Sequence, residues 1–559
     1  MVAQSARTLA ADGWRVVQID LYGCGDSAGD FGAASWAQWL DDLEQAVAAH
    51  HRDGALWLWG LRAGALLLPP LLERYPMANL LLWQPEVDGT QTLNQFLRLR
   101  TSAALLDGPG SADRKRLREQ LAHGQPLEIA GYTLAPNIAN PLAEARLTLP
   151  PNFKGRVLWC DVVDAANEPI APARQKVIDT WRGAGHEVRV ETPVGPKFWQ
   201  TVEIAEATAL LERTRTALAC DPGAECRVRG GSESTGDASA WPQESPYRET
   251  ATWIGCEREG MLGVVCARGE VTAPLGVLIV VGGPQYRVGS HRQFVRLART
   301  LASAGFTSLR FDVRGMGDSE GKPRNFTDIE HDLAAAIDAL SAQPGIRSVA
   351  IWALCDAASA ALMFCAADSR VCAMLLVNPW VRSEVTLAKT HLKHYYRQRL
   401  LQRDFWSRLL RARFDWRASL RDLSRSLQRA TKVSSASETA SFQTRMANGW
   451  RRFAGQIALV LSGRDYTAKE FLEYTSQDPG WHGLLTRPNV CRLESPDADH
   501  TFSSEASHRW LEEQTIRWLR MAATPVVAHG GSQPSKDERT RTSGEPTPVV
   551  NSHVRREAQ

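Results

Sequence analysis

The sequence has no long apolar run and no excess of charge of one sign. Its longest apolar stretches, such as residues 276–281, are as long as a strand and fall short of the roughly 18 residues that a membrane helix needs. The N-terminus lacks a charged segment followed by an apolar run, so we expect no secretion signal and a cytoplasmic protein. A net charge of +3 over 559 residues argues against a nucleic-acid-binding protein.

Paired cysteines and clustered histidines are also missing. The ten cysteines are scattered and none forms a CxxC pair. Disulfide frameworks and zinc ribbons both require local spacing, so we predict reduced thiols that are mostly buried, with no metal site and no cofactor.

One stretch of the chain occurs twice. Residues 274–321 predict a strand, a glycine turn, a helix, a second strand and a second glycine turn. Residues 6–29 repeat the second half of this pattern at a separation of 292 residues. The shared residues of the first copy are Arg7, Thr8, Leu9, Gly13, Asp20, Gly23, Gly25, Asp26, Ser27 and Gly29. This density of matches predicts two copies of one unit.

Strand-length apolar segments alternate with helical periodicity in both copies, which predicts the α/β class with mostly parallel central sheets. Residues 86–150 read as an irregular insertion and residues 251–268 as a hairpin. Further strands are predicted at 55–60, 78–85, 156–163, 186–193, 275–281, 373–380 and 456–465, and residues 348–365 predict a strand followed by a helix. The predicted domains are 1–215 and 247–525, separated by a flexible linker at 216–246 and followed by a disordered tail at 526–559.

The first copy has nothing upstream of its helix, whereas the second copy has a hairpin and a strand there. A parallel sheet without its early strands would leave an unpaired edge. We therefore expect either a start codon placed too late, with a strand and a loop encoded in frame upstream of Met1, or a remnant of a domain.

Chemistry is predicted at Cys355, between an apolar strand and a helix. The sequence Ala353-Leu354-Cys355-Asp356-Ala357 has the small-x-nucleophile-x-small pattern of the nucleophile elbow in α/β-hydrolases. In that fold the acid and the histidine follow the nucleophile in this order, each after a late strand. Asp465 and His500 occupy those positions.

Two interpretations of these residues are open. Cys355 could be a buried structural cysteine, His500 a loop residue and Asp465 a helix N-cap. The correct order at the correct element ends favours a Cys-His-Asp triad instead, in which an imidazolium lowers the pKa of the thiol. We expect the carboxylate of Asp356 to face away from that thiol.

The predicted oxyanion hole combines the N–H of Asp356 with a second donor from the loop at 282–285. Pro284 has no N–H, so Gln285 or Gly283 is expected to supply it. The alternative is that the glycines only form the turn.

The first copy fails the same test. Arg62 stands where Cys355 stands in the second copy, and a guanidinium stays protonated and is no nucleophile. No histidine follows the strand at 186–193, although Asp161 and Asp164 lie where an acid would. We predict a non-catalytic first copy.

A helical lid is predicted at residues 382–452, between nucleophile and acid. It holds 17 basic against 5 acidic residues, and Arg413, Arg417, Arg421, Arg425 and Arg429 recur at helical spacing. This stripe is either a solvated helix face or a rim that attracts anionic acyl or glycan substrates, in which case high salt lowers turnover of such substrates.

Longer motifs carry a family resemblance. Residues 247–525 resemble the type 1 exosortase A system-associated hydrolase through GGPQYRVGSHRQF, RGMGDSEG, LCDAASAAL, NPWVRSE, LKHYYRQRLL and ADHTFS. Residues 1–215 resemble its type 2 partner through IDLYGCGDSAGDF and WGLRAGALL. The resemblance implies two α/β-hydrolase domains and a link to exopolysaccharide production and protein sorting. The alanines at 353 and 357 depart from the glycines expected there.

The combined expectation is a degenerate domain fused to a competent one that cleaves an ester or thioester through an acyl-Cys355 intermediate. The substrate would be a small or glycan-linked acyl compound. An acyltransferase of the same fold and a non-catalytic scaffold remain the alternatives. Substrate identity and oligomeric state are left open.

Overall fold

The computed structural model describes residues 1–52, 54–107, 114–200, 205–219, 246–269, 273–283, 285–382 and 441–523. We call residues 1–219 the N-terminal region and residues 246–523 the C-terminal region. Among the described helices, none is both long enough and apolar enough to cross a membrane. The eight cysteines within these ranges are free thiols.

The N-terminal region is built on a four-stranded parallel sheet in the order β1-β2-β5-β6, next to an antiparallel β3-β4 hairpin. The strands are β1 (Trp57–Leu61), β2 (Asn79–Trp83), β3 (Leu127–Ile129), β4 (Tyr132–Leu134), β5 (Val157–Cys160) and β6 (Val188–Glu191). The helices are α1 (Val2–Ala11), α2 (Trp36–His50), α3 (Leu68–Arg74), α4 (Gly89–Asp107), α5 (Arg114–Ala122), α6 (Pro136–Glu144), α7 (Pro172–Gly183) and α8 (Thr208–Ala219). Strands β2 and β5 are buried throughout, which explains their continuous apolar sequence.

The prediction of an irregular insertion at 86–150 is wrong. This segment contains α4, α5, α6 and the β3-β4 hairpin. Leucines four positions apart are buried on α4 (Leu93 and Leu97) and on α5 (Leu117 and Leu121), and they join the core beneath the sheet. Helical spacing of apolar residues was thus the signal for these elements. Helix α8 also runs to Ala219, four residues into the predicted linker.

Residues 14–21 do not form the strand that the repeat predicts. The matching strand of the C-terminal region, β10 (Ser308–Phe311), pairs on one side with β9 (Leu275–Val280) and on the other with β8 (Glu259–Ala267). The described part of the N-terminal region offers no such neighbours. An extended segment without a ladder partner is not assigned to a sheet.

The C-terminal region contains an eight-stranded sheet in the order β14-β13-β12-β11-β9-β10-β8-β7. Its pairings are parallel except for those of β8 with β10 and with β7, so β8 runs against the other strands. The remaining strands are β7 (Arg248–Cys256), β11 (Ser348–Leu354), β12 (Val371–Val377), β13 (Gln456–Ser462) and β14 (Val490–Ser495). The helices are α9 (Gln293–Ser303), α10 (Glu330–Ser341), α11 (Asp356–Phe364), α12 (Phe442–Arg452), α13 (Tyr466–Gln477) and α14 (Glu505–Ala522). Helices α10 to α13 cover one face, and α9 and α14 cover the other.

Most of the predicted lid, residues 383–440, lies outside the described residues, as does the predicted tail. The C-terminal end of the predicted lid belongs to the hydrophobic core. Met446 and Trp450 of α12 are fully buried, and α12 packs on α11 so closely that a Cβ on Gly449 would lie 1.7 Å from the carbonyl oxygen of Leu362. Helix α12 therefore supports the helix that begins after Cys355.

Candidate active site

Cys355 occupies a sharp turn between β11 and α11. Its backbone has φ 62° and ψ −126°, a conformation that L-residues rarely adopt. The N–H of Cys355 donates to the carbonyl of Val377 on β12 at 2.9 Å, which anchors the turn to the neighbouring strand. Ala353 and Ala357, which stand on either side where glycine was expected, are both buried.

Asp465 and His500 form a hydrogen-bonded pair. Nδ1 of His500 lies 2.8 Å from Oδ2 of Asp465. The same carboxylate accepts from the N–H groups of Thr467 at 3.0 Å and Ala468 at 3.2 Å, and so caps α13. Asp465 is therefore both an N-cap and the partner of His500. Burial opposes its charge, but the bond to His500 and these two amides hold the pKa of Asp465 below its usual range.

The thiol of Cys355 is not activated by His500 in the resting structure. Within the described residues, no hydrogen bond joins Sγ of Cys355 to the imidazole. Burial, followed by the charge of Asp356, raises the pKa of the Cys355 thiol above its usual range. The expectation of a lowered thiol pKa is wrong for this conformation, because removal from water and a neighbouring carboxylate both disfavour a thiolate.

Asp356 faces inward, contrary to our expectation. Its Oδ1 accepts from the N–H of Gly283 at 2.6 Å, and burial raises the pKa of this carboxyl group. Gly282 lies too close to Asp356 to carry a side chain, since a Cβ on Gly282 would lie 2.1 Å from Oδ1 of Asp356. This close packing turns the carboxylate toward the loop.

The inward carboxylate changes the predicted oxyanion donors. The N–H of Gly283 is engaged by Asp356, so it is not free to bind an oxyanion. Pro284 lies outside the described residues. The side chain of Gln285 accepts from the N–H of Ser290 at 3.2 Å, which holds the loop. The N–H of Asp356 lies beside Sγ of Cys355. Of the predicted donors, the backbone N–H groups of Asp356 and Gln285 remain.

Asn378 is a site residue that the sequence analysis missed. It is fully buried at the end of β12 with φ 46°. Its Nδ2 donates to Oγ of Ser462 at 2.8 Å and to the carbonyl of His500 at 3.1 Å, while its Oδ1 accepts from the N–H of Ser462 at 3.0 Å. Asn378 thereby ties the histidine loop to two strands. The Asn-Pro pair after an apolar strand was the available signal.

In the N-terminal region the residues that match the nucleophile and acid positions form ion pairs. Arg62 has φ 52°, pairs with Glu86 and lies 5.6 Å from the ring of Trp199. Asp161, predicted at an acid position, is held by Arg174 at 2.7 Å. Asp164, the other such candidate, pairs with a lysine at 2.6 Å. Both carboxylates pair with cations, and among the residues that the structure describes neither bonds to an imidazole.

Comparison with known families agrees with the architecture of the C-terminal region. Residues 277–531 match the model of the Alpha/beta hydrolase family. The C-terminal half has an α/β-hydrolase fold. Within it, Cys355 lies at the strand-to-helix turn after β11, and Asp465 and His500 follow β13 and β14.

Curated relatives of this α/β-hydrolase half match over short stretches. Human Protein ABHD12B is 33% identical over 100 residues, which cover 17% of this chain and 27% of that protein. Polyketide transferase grgF of Penicillium sp is 33% identical over 92 residues, covering 16% of this chain and 31% of that protein. The chain thus spans about a third or less of the length of these relatives.

Solved structures of two hydrolases are also similar. The esterase Pf2001 of Pyrococcus furiosus has 15% identity and a TM-score of 0.35, over 53% of this chain and 98% of that one. The dienelactone hydrolase of Anabaena variabilis has 13% identity and a TM-score of 0.32, over 50% of this chain and 99% of that one.

Proposed function

We propose that the α/β-hydrolase half cleaves an ester or thioester through an acyl-Cys355 intermediate. The observation that carries this proposal is the placement of three side chains at one edge of the sheet. Cys355 projects from a strained turn after β11, and the bonded pair of Asp465 and His500 follows β13 and β14. The carboxyl ends of parallel strands meet at that edge.

The proposed reaction has an acylation step and a hydrolysis step, and His500 carries the proton in both. Sγ of Cys355 attacks the acyl carbon while its proton passes to Nε2 of His500, and the bond to Asp465 fixes the imidazole tautomer and stabilises its charge. The imidazolium then protonates the departing alkoxide or thiolate. Water attacks the resulting thioester with His500 as the base, which regenerates the thiol. The N–H groups of Asp356 and Gln285 would bind the oxyanion.

The test is turnover of p-nitrophenyl acetate by matched variants. Cys355→Ala and His500→Ala are each expected to lose on the order of a thousandfold in kcat, as for removal of a triad member. Arg62→Ala is the control and should stay within a few-fold of wild type. Peptide mapping after a short incubation should place the acetyl group on Cys355. Equal turnover by wild type and Cys355→Ala would reject the proposal and favour a scaffold.

Acyl transfer is the second candidate, because one relative is named a polyketide transferase. A thioester at Cys355 can pass its acyl group to an amine or hydroxyl instead of water. Adding sugar or amine acceptors to the turnover assay distinguishes the two. If an acceptor lowers free-acid formation while acylated acceptor accumulates, the protein is a transferase.

The N-terminal region is proposed to be a degenerate copy of the same fold. A similar contact at matching positions of the two regions supports this. Gln84 has φ 45° and its Oε1 accepts from the N–H of Val162 at 2.7 Å. Asn378, in the matching position, has φ 46° and accepts from Ser462. A link to exopolysaccharide systems, with a glycan-linked or anionic substrate under a basic lid, remains a prediction from the resemblance and from residues 382–452.

A further inference from the structure

The two regions meet at the loop of residues 23–30 in the N-terminal region. The carboxylate of Asp26 receives Arg287 at 2.6 Å and Arg310 at 3.0 Å, both from the C-terminal region. Arg292 donates to the carbonyls of Gly25 at 3.0 Å, Ser27 at 2.5 Å and Gly29 at 2.8 Å. One aspartate and three carbonyls of this loop thus bind buried arginines.

The contact is partly reciprocal. Arg299 donates to the carbonyl of Asp26 at 3.1 Å, and Arg7, its partner in the sequence repeat, donates to the carbonyl of Asp318 at 3.1 Å. Asp318 is in turn the repeat partner of Asp26. Matching residues therefore make matching contacts in both directions, as in the self-complementary interface of a two-fold dimer.

Arg287 is the centre of this cluster. It is 6% exposed and binds three carboxylates, those of Asp26, Asp312 at 2.5 Å and Asp318 at 2.8 Å. Its backbone N–H also donates to Asp312, at 2.6 Å. A buried guanidinium needs such partners to offset the loss of water, so Asp26 is part of what fixes Arg287 in place.

Arg287 belongs to residues 285–292, which we call the arginine segment. The segment starts two residues after Gly283, whose N–H donates to Asp356 beside the nucleophile. Near its other end, Nε2 of His291 lies 3.2 Å from the carbonyl of Thr501, the residue after His500. The arginine segment therefore runs between the two sides of the proposed active site.

The end of the arginine segment is strained. His291 has φ 41° and Arg292 has φ 60°, and such a pair persists only where the surroundings enforce it. The N-terminal region supplies the enforcing contacts. Loop carbonyls hold Arg292, and Gly131 of the β3-β4 hairpin lies against His291, since a Cβ there would be 2.5 Å from the ring.

We propose that the N-terminal region is a built-in positioning partner of the hydrolase site, acting from Asp26 through Arg287 and from loop 23–30 through Arg292. These contacts hold the arginine segment in the conformation that supports the loop at Asp356 and the loop at His500. Asp26, Arg287 and Arg292 are positioning residues, not catalytic ones. The inference rests on the proposed function for its effect on turnover.

The test compares Asp26→Asn with Asp12→Asn in the full chain. Asp12 pairs with Arg215 inside the N-terminal region, through two bonds of 2.6 Å, and serves as the control. Asp26→Asn should speed deuterium exchange in peptides covering 285–292 and 499–503. It should lower kcat for p-nitrophenyl acetate about tenfold to a hundredfold, the effect of misplacing reacting groups, with a smaller change in KM. Asp12→Asn should change neither, and Asp26→Glu should restore part of kcat.

The outcomes separate positioning from stability and from the proposed function. Unchanged exchange in 285–292 overturns the inference, as does faster exchange spread evenly over the C-terminal region with a matching fall in Tm. If Asp26→Asn does not fold, Arg292→Lys, which keeps the charge but loses the forked contact, is measured in the same way. If wild type shows no turnover that depends on Cys355, the proposed function fails, and the exchange data alone decide whether Asp26 orders the segment.

Discussion

At the scale of single residues, Asp356 adds to the effect of burial on the proposed nucleophile. Its carboxylate binds the N–H of Gly283 and so holds the loop. The same carboxylate lies next to the Cys355 thiol, and its charge helps to raise the pKa of that thiol. In the proposed reaction a thiol in this setting starts protonated and needs a base to take its proton, the role proposed for His500.

Asp356→Asn should therefore lower the pKa of the Cys355 thiol. The amide oxygen can still accept from Gly283, but the negative charge that disfavours the thiolate is gone. The rate of iodoacetamide alkylation at Cys355 is measured by peptide mapping from pH 6 to about 10. The rise of this rate with pH should begin at a lower pH in the variant than in wild type. The matched control is Asp338→Asn, which removes a carboxylate that pairs with Arg370. An identical profile in Asp356→Asn and wild type would contradict this account.

At the scale of elements, the contact between α11 and α12 supports the elbow. Gly449 lets α12 approach the backbone of α11 at Leu362, while Met446 and Trp450 fill the core beside it. The N-terminal end of α11 is Asp356, so a shift of this helix would reach the nucleophile turn directly.

Gly449→Ala should destabilise the protein. The added methyl meets backbone that a side-chain rotation cannot relieve, and overpacking of this kind costs about 1–3 kcal/mol in the free energy of unfolding. Urea unfolding followed by tryptophan fluorescence measures it. Gly183→Ala on α7 is the control, because a Cβ there meets nothing within 4 Å. Equal midpoints for both variants would show that α12 tolerates displacement.

At the scale of the whole molecule, the N-terminal region contacts the C-terminal region through two of its elements. Its loop 23–30 and its β3-β4 hairpin both contact the arginine segment of the other region. Much of this contact consists of charged groups that are buried together, and these are costly to separate one at a time.

Cutting the chain between the regions should leave them associated. A protease recognition sequence is inserted between residues 219 and 246 and the purified protein is digested. The two fragments should co-elute on size exclusion at micromolar concentration. Asp26→Asn in the same background should weaken the association, since Arg287 and Arg310 lose a common partner. Separation of the wild-type fragments would mean that the covalent link, not the interface, keeps the regions together.

The sequence alone determined the features that depend on local pattern. Apolar strands and helical spacing predicted the α/β class, the hairpin now seen as β7 and β8, and the strands on both sides of Cys355. The order of Cys355, Asp465 and His500 along the chain, each after a strand, predicted one shared site, and the bond of 2.8 Å between Asp465 and His500 agrees for these two residues. Periodicity and chain order suffice for such features, because parallel strands bring their ends to one edge.

Only the tertiary structure decided the features that depend on contacts between distant segments. Asp356 turns inward toward the N–H of a glycine loop 73 positions earlier, and its charge adds to burial in raising the pKa of the Cys355 thiol. Asn378 reaches the His500 loop across 122 positions. Asp26 meets Arg287 across the contact between the two regions, 261 positions apart in the chain. Burial and charge pairing set these contacts, and neither can be read from the residues on either side in the chain.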